Sequence, residues 1–482
     1  MLRRPGPALP LLLLLAVPAP ASGGTGSRAI VPGATQRPAD SALAARVDSI
    51  FAPFTAPGSP GCALGIVRDG ALSYAKGYGL ASVELGVPIT PRTVFDIGSV
   101  SKQFTAMAVV LLAEEGKLSL DDEIQKFLPE IPRYAKPVTI RHLLHHTSGL
   151  RDYIDLLIWS GVEEEAVTDD RDALAVLVRQ KAPNFGAGAE FLYSNTGFFL
   201  LSVLVERVSG KSLADFAAER IFRPLGMTHT RYVDRHDLIV PGKAASYSKN
   251  PAGGFRLALA NWEQTGDGAV NTSIEDLLEW DRNFASGKVG GEAALRELQT
   301  TGVLNDGKPI TYALGLVVDR YRGARTVAHG GSWAGFRAQL TRFPELRTSV
   351  IVLCNLAESG PGALASKVAD IVLGDRLAAR EPPVSRPPER PRAAGPERPA
   401  ELVGTYRSEE LLADWRIAVR GDSVLARAGL GRESALRPVG RDSFAVGGGR
   451  VTFVREADRV TGLRISSRGV RDLLLTRSPG NP

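Results

Sequence analysis

Residues 95–105 read FDIGSVSKQFT, and they decide the fold because Ser99 and Lys102 stand three residues apart at the start of an apolar run. The run ends at Gly116, which predicts a buried helix opened by Ser99. Residues i and i+3 share one face of a helix, so the Lys102 amine is expected beside the Ser99 hydroxyl. An uncharged amine there can accept the serine proton, and backbone N–H groups at the helix N-terminus can stabilise a developing oxyanion.

The S-x-x-K pattern alone is weak evidence. A second copy, Ser246-Tyr-Ser-Lys249, lies in a polar stretch before Pro251 with no helical run behind it, and we interpret it as chance. Ser99 is also compatible with a structural role, as a helix N-cap followed by a solvated lysine. Other segments are therefore needed to decide between the two interpretations.

Two further segments supply candidate site residues. Tyr193 and Asn195 lie in a predicted loop before an apolar helix, where a tyrosine can relay protons and an asparagine can hold a substrate carbonyl. The alternative is a purely structural Tyr193 that packs at a turn. Farther on, His329-Gly330-Gly331-Ser332 precedes a predicted strand. The two glycines allow close backbone approach, and the Ser332 amide is a candidate oxyanion donor.

S-x-x-K, Y-S-N and H-G-G, in this order, resemble the motifs of the serine β-lactamase and penicillin-binding protein family. That family includes class C β-lactamases, D-alanyl-D-alanine carboxypeptidases, D-aminopeptidases and related esterases. Flanking stretches, among them LLHHTSGL at 143–150 and TGDGAVNTS at 265–273, are similar as well. The resemblance covers about Ala42 to Leu373.

The resemblance implies a role for each motif residue. Ser99 is the acylated nucleophile, and Lys102 and Tyr193 share general-base and general-acid work. Substrate-binding groups complete the site: Asn195 orients the substrate, Ser99 and Ser332 amides form the oxyanion hole, and His329, Gly330 and Gly331 form the third wall. The first and last strands of this fold are neighbours, so Cys62 and Cys354 are placed to pair.

The third motif departs from that of true class C β-lactamases, which carry lysine-threonine-glycine. His329 stands in place of the lysine that helps to bind the substrate carboxylate. We therefore expect a secreted serine hydrolase of small amides or esters, foremost a peptidase for D-residues. A carboxylesterase of the same fold is the alternative, and a catalytically silent binding protein for peptide or cell wall is the alternative from another class.

The order of elements predicts an α+β fold. A hairpin over 63–78 and strand-like stretches near 314–356 enclose a long helical middle, which favours an antiparallel sheet with an inserted helical subdomain. The resemblance gives that sheet five strands. We expect the hydrolase domain over 41–376, a Pro/Arg-rich linker over 377–399, and a small, lipocalin-like β-barrel over 400–482.

The N-terminus predicts export. Residues 1–21 combine two arginines, a leucine-rich run and Ala19-Pro-Ala21, which is typical of a cleaved signal peptide, and 22–40 read as a flexible lead-in. The protein is thus expected in the periplasm or outside the cell. The mature chain has no long apolar stretch, so no integral membrane segment is expected.

The remaining composition excludes several partners. A net charge of +6 over 482 residues, with no recognisable motif, does not favour nucleic acid. His142, His145 and His146 have spacing compatible with zinc, but no accompanying glutamate, and they fall in a segment that resembles the family. We therefore expect no metal and no cofactor, and a small-molecule or short-peptide substrate.

Overall fold

The computed structural model describes residues 38–379 and 398–479. Internal contacts divide the chain into Met1–Ala42 and Leu43–Pro482, and the site and the barrel both belong to the second unit. The predicted signal peptide, most of the predicted lead-in and most of the predicted linker lie outside the described residues. The described α-helices are α1 Pro38–Phe51, α2 Lys102–Glu114, α3 Ile140–Leu144, α4 Tyr153–Trp159, α5 Asp170–Leu177, α6 Asn195–Ser209, α7 Leu213–Ala217, α8 Arg223–Leu225, α9 Ile274–Ser286, α10 Gly291–Leu298 and α11 Pro361–Leu373.

A central antiparallel sheet organises the larger part of this unit. Its strands, in chain order, are β1 Cys62–Arg68, β2 Ala71–Tyr78, β3 Val317–Tyr321, β4 Ala324–Trp333, β5 Phe336–Phe343 and β6 Thr348–Cys354. They are arranged as β3-β4-β5-β6-β1-β2, so the first and last strands of the domain are neighbours. The predicted α+β class is confirmed.

The sheet has six strands and not the expected five. The expectation placed the H-G-G residues just before a strand, whereas they lie inside β4, which pairs with β3 and β5. The glycines hide this strand from a sequence reading because they interrupt the alternation of apolar and polar side chains.

Strand β1 is buried on both faces of the sheet, which stabilises the centre of the domain. Leu64 and Ile66 face one hydrophobic cluster, which includes α11, while Ala63 and Val67 face the other, which includes α2. The tight turn after β1 uses positive φ at Asp69 (49°) and Gly70 (74°), as a two-residue hairpin with right-handed strand twist requires.

The two cysteines form a disulfide across neighbouring strands. Cys62 of β1 pairs in register with Cys354 of β6, and the bond closes a separation of 292 residues. The bond joins the first and last strands of the sheet covalently.

Residues after the linker form a closed antiparallel barrel. Its strands are β7 Gly404–Arg407, β8 Trp415–Arg420, β9 Ser423–Ala428, β10 Ser434–Pro438, β11 Ser443–Val446, β12 Gly449–Glu456, β13 Arg459–Ser466 and β14 Leu473–Arg477. Alternate residues such as Tyr406, Phe444 and Leu463 are fully buried, so side chains fill the interior of this barrel. The predicted C-terminal barrel is confirmed.

Within the described residues, no helix combines the length and apolarity needed to cross a bilayer.

Candidate active site

Ser99 lies in a short 3₁₀ turn, Gly98–Ser101, which leads from a short strand into α2. The spacing predicts a helix that begins at Ser99, but α2 begins at Lys102. Asp96 fixes the turn, because its Oδ1 accepts a hydrogen bond of 2.7 Å from the Gly98 amide. Ser99 therefore stands at the N-terminal end of a buried helix.

Lys102 reaches back over this turn. Its side chain is completely buried, and Nζ donates hydrogen bonds to Ser99 Oγ (3.0 Å), Asn195 Oδ1 (2.9 Å) and the Asp267 carbonyl (2.6 Å). These three acceptors match the three donors of an ammonium group. An uncharged amine can keep the bonds to Asn195 and Asp267 while its lone pair points at the serine hydroxyl.

Tyr193 and Asn195 frame Lys102 from the opposite side. Asn195 is the first residue of α6, and Lys102 Nζ lies 5.0 Å from the centre of the Tyr193 ring. The Tyr193 hydroxyl is buried and has no hydrogen-bond partner among the described residues. Within residues 38–379 and 398–479, its O–H therefore has no acceptor that would compete with a bound molecule.

Strand β4 approaches the nucleophile turn very closely. A Cβ on Gly331 would lie 1.8 Å from the Ile97 carbonyl oxygen and 3.3 Å from the Ser99 amide nitrogen. On the other side of the contact, a Cβ on Gly98 would lie 2.5 Å from the Ser332 amide nitrogen. Glycine at both positions lets the Ser99 and Ser332 amides come side by side.

His329 is held behind the site by hydrogen bonds. Its Nδ1 donates to the Gly330 carbonyl (2.6 Å), so the neutral ring accepts from the Tyr312 hydroxyl at Nε2 (2.9 Å). Burial, together with the charge of Lys102, lowers the pKa of His329 to about 4. The ring is uncharged at neutral pH and contributes no positive charge there.

The motif residues open into a cavity of about 410 Å³. The lining includes Ser99, Tyr193, Asn195 and Ser332. Apolar side chains of the lining are Ile154, Val233, Leu238, Leu257, Leu259, Trp262, Trp333 and Phe336. Such a mixture of apolar walls and a few convergent polar groups is typical of a small-molecule site.

Two buried carboxylates of the site did not emerge from the sequence. Asp267 lines the cavity, and burial raises its pKa to about 6 although the Lys102 charge opposes the change. Asp152 accepts from both nitrogens of Asn195, and burial and the Asp155 charge raise its pKa to about 7. Each had a weak signal: Asp152 directly precedes the apolar run of α4 as an N-cap does, and Asp267 lies within the TGDGAVNTS stretch.

The three histidines whose spacing is compatible with zinc have separate partners. His142 pairs with Thr139, His145 with the Tyr312 carbonyl, and the His146 ring accepts from the Ser194 amide. Over residues 38–379 and 398–479 no cluster of three or more potential metal ligands occurs.

Comparison with known proteins places the chain in a family. The family model described as Beta-lactamase matches residues 47–373, which is more than half of the chain. The chain belongs to the Beta-lactamase family. This family assignment agrees with the resemblance seen in the motifs.

Members and neighbours of this family show the range of its relatives. A D-aminopeptidase from Gluconobacter oxydans is 29% identical over 76% of this chain and 66% of its own length. The chain thus spans just under two thirds of that relative. The octameric penicillin-binding protein homologue from Pyrococcus abyssi is 24% identical and covers 90% of this chain and 99% of its own, with a TM-score of 0.60. EstCE1, described as a hydrolase with promiscuous acyltransferase activity, is 25% identical and covers 70% of this chain and all of its own, with a TM-score of 0.59.

Proposed function

We propose that this protein is an exported serine hydrolase that acts through a Ser99 acyl-enzyme on small amides or esters, foremost those of D-residues. The observation that carries the proposal is the bond of 3.0 Å between Lys102 Nζ and Ser99 Oγ, beside a cavity of suitable size. The D-aminopeptidase relative supports D-residue substrates. EstCE1, described as a hydrolase with promiscuous acyltransferase activity, supports acyl transfer, with esters as the alternative substrates.

The proposed acylation uses Ser99, Lys102, Ser332 and Tyr193. The Ser99 O–H bond breaks, its proton passes to Lys102 Nζ, and Oγ forms a bond to the substrate carbonyl carbon. The Ser99 and Ser332 amides donate to the resulting oxyanion. The bond to the leaving group then breaks as that group receives a proton from the Tyr193 hydroxyl, which Lys102 re-protonates.

Deacylation reverses these transfers. A water molecule loses a proton to the base, its oxygen attacks the acyl carbon, and the oxyanion again lies between the two amides. The bond between Ser99 Oγ and the acyl carbon then breaks, and Oγ recovers its proton from the base, which frees the acid product. The water supplies the oxygen of that product, so no other reactant is needed.

The walls of the cavity favour substrates with an apolar group. Leu238, Leu257 and Leu259 line the cavity yet are 40%, 49% and 53% exposed. Exposed leucines grouped at a pocket commonly mark a binding surface. Because the neutral His329 replaces a cation, amides and esters without a carboxylate next to the scissile bond fit this proposal better than β-lactams do.

Export is supported by the disulfide between Cys62 and Cys354, since such bonds persist in oxidising compartments. The signal-like residues 1–21 agree with this proposal.

The test is hydrolysis of p-nitrophenyl butyrate and of D-alanine p-nitroanilide by the mature protein, with Ser99→Ala and Lys102→Ala in parallel. Lys249→Ala is the matched control, because Lys249 belongs to the second S-x-x-K and is exposed. We expect turnover by wild type and the control, and its loss in both site variants. Equal turnover in Ser99→Ala would mean a different nucleophile, and a folded protein without turnover on any panel member would favour a binding role.

A further inference from the structure

The barrel contacts the hydrolase domain directly behind the candidate site. The contact is made by the turn Ser467–Val470 between β13 and β14, here named the docking turn. Asp155 of α4 accepts from Ser467 Oγ (2.5 Å) and from the Gly469 amide (2.9 Å), and the Gly469 carbonyl accepts from the Asp152 amide (3.0 Å). The barrel thereby fixes the N-terminal end of α4.

The fit of the docking turn is tight at one atom pair. A Cβ on Gly469 would lie 2.3 Å from the Cβ of Asp152, which is closer than two such atoms can approach. Nearby, Arg151 forms a buried ion pair of 2.7 Å with Glu410 of the barrel. The Arg151 carbonyl also accepts from Thr196 Oγ1 (2.7 Å), so this segment is tied to both the barrel and α6.

Asp152 in turn fixes the orientation of the Asn195 amide. Its Oδ2 accepts from the Asn195 backbone nitrogen (2.5 Å) and from Nδ2 (3.1 Å), while Oδ1 accepts from the Ile154 amide (2.9 Å). With Nδ2 held by the carboxylate, Asn195 Oδ1 must face Lys102 Nζ at 2.9 Å. A flipped amide would bring two donors together at Lys102.

We infer that Asp152 is a positioning residue for Lys102 and that the barrel, through the docking turn, holds Asp152 in place. A continuous set of contacts leads from Gly469 through Asp152 and Asn195 to the Lys102 amine beside Ser99. The inference rests on the proposed function, in which Lys102 takes the Ser99 proton, and it gives the barrel a part in organising the site.

Three variants of the full-length chain test this inference. Asp152→Asn leaves one acceptor oxygen where the carboxylate has two, so either the Ile154 amide or the Asn195 nitrogens then face a donor. Gly469→Ala pushes the docking turn away from Asp152. Trp415→Phe is the matched control, because it removes another barrel contact, the bond from Trp415 Nε1 to the Trp159 carbonyl (2.7 Å), at the far end of α4. Melting temperatures show whether each variant is folded.

The first readout is ester hydrolysis resolved into kcat and KM. We expect Asp152→Asn and Gly469→Ala to lower kcat at least about 10-fold and to change KM less than kcat, because the disturbed Asn195 amide holds Lys102 as well as lining the cavity. Trp415→Phe should stay within about threefold of wild type. An unchanged kcat in folded Gly469→Ala, or an equal loss in Trp415→Phe, would overturn the role of the docking turn.

The second readout does not need turnover. Hydrogen–deuterium exchange of peptides covering Asn195 reports on the Asn195 backbone N–H, which donates its hydrogen bond to Asp152. Its exchange rate should rise at least about 10-fold in Gly469→Ala but not in Trp415→Phe. Unchanged exchange in Gly469→Ala would overturn the inference. Faster exchange in a chain that lacks Ser99-dependent turnover would uphold the coupling and reject the proposed function, so the two failures are distinguishable.

Discussion

Replacing Gly331 by alanine tests whether close approach of β4 creates the oxyanion hole. The new Cβ would lie 1.8 Å from the Ile97 carbonyl oxygen, and a normal contact requires more than 3.0 Å, so strand and turn must separate by over an ångström. The Ser332 amide then leaves hydrogen-bond distance of the oxyanion. Loss of one such donor lowers kcat about 100- to 1000-fold, or about 3–4 kcal/mol.

The assay is steady-state hydrolysis of p-nitrophenyl butyrate, with the melting temperature as a check of folding. Gly330→Ala is the comparison variant, because its Cβ would lie 3.1 Å from Gln339 Oε1, the end of a flexible side chain. We expect Gly330→Ala to lose far less activity than Gly331→Ala. A folded Gly331→Ala enzyme whose kcat stays within threefold of wild type would refute this account of the oxyanion hole.

Three other predictions follow from single features of the molecule. The double variant Cys62→Ser/Cys354→Ser should lose about 6 kcal/mol of unfolding free energy in the chain-entropy model for so long a loop, as measured by urea unfolding. His329 binds a proton more weakly in the folded protein (pKa about 4) than in the unfolded chain (pKa 6.5). The unfolding free energy of wild type should therefore fall by up to about 3 kcal/mol relative to that of His329→Gln as the pH falls from 6.5 to 4. A difference between the two proteins that does not depend on pH in urea unfolding would contradict this. Leu257→Ser/Leu259→Ser should lower the ratio of kcat/KM for p-nitrophenyl hexanoate over acetate about 10-fold, and an unchanged ratio would exclude these leucines from acyl binding.

The sequence predicted the structure well where residues close in the chain form a regular pattern. Lys102 Nζ lies 3.0 Å from Ser99 Oγ, as the i, i+3 spacing predicts, although the α-helix begins three residues later than expected. The hairpin of β1 and β2 was equally legible, because apolar residues end at a turn that demands positive φ. Local patterns of this kind need no knowledge of tertiary structure.

Other parts of the site depend on contacts that no local pattern encodes. Asp152 lies 43 residues before Asn195, and the packing of α4 against α6 brings the two together. Asp267 lies 72 residues after Asn195, and its carbonyl reaches Lys102 only through the tertiary fold. Strand β4 was missed because Gly330 and Gly331 carry no side chains to alternate. The roles inferred for the motif residues stay predictions until the variants are measured.

The distribution of protons around Lys102 gives the proposed chemistry its direction. Acylation moves a proton onto this buried amine, and a buried positive charge is costly unless acceptors and negative charge are already in place. The Asp267 carbonyl and Asn195 Oδ1 are such acceptors. Asp267 supplies nearby negative charge above its pKa of about 6.

Burial makes His146 and His329, the two histidines near Lys102, weak bases. Burial and the Lys102 charge lower the pKa of His146 well below its usual value and that of His329 to about 4, so neither ring gains a proton at neutral pH. In the proposed mechanism the positive charge of the acylation step forms on Lys102, whose amine lies 3.0 Å from Ser99 Oγ. Because this preorganisation exists before substrate arrives, the site spends little free energy on rearranging dipoles during the reaction.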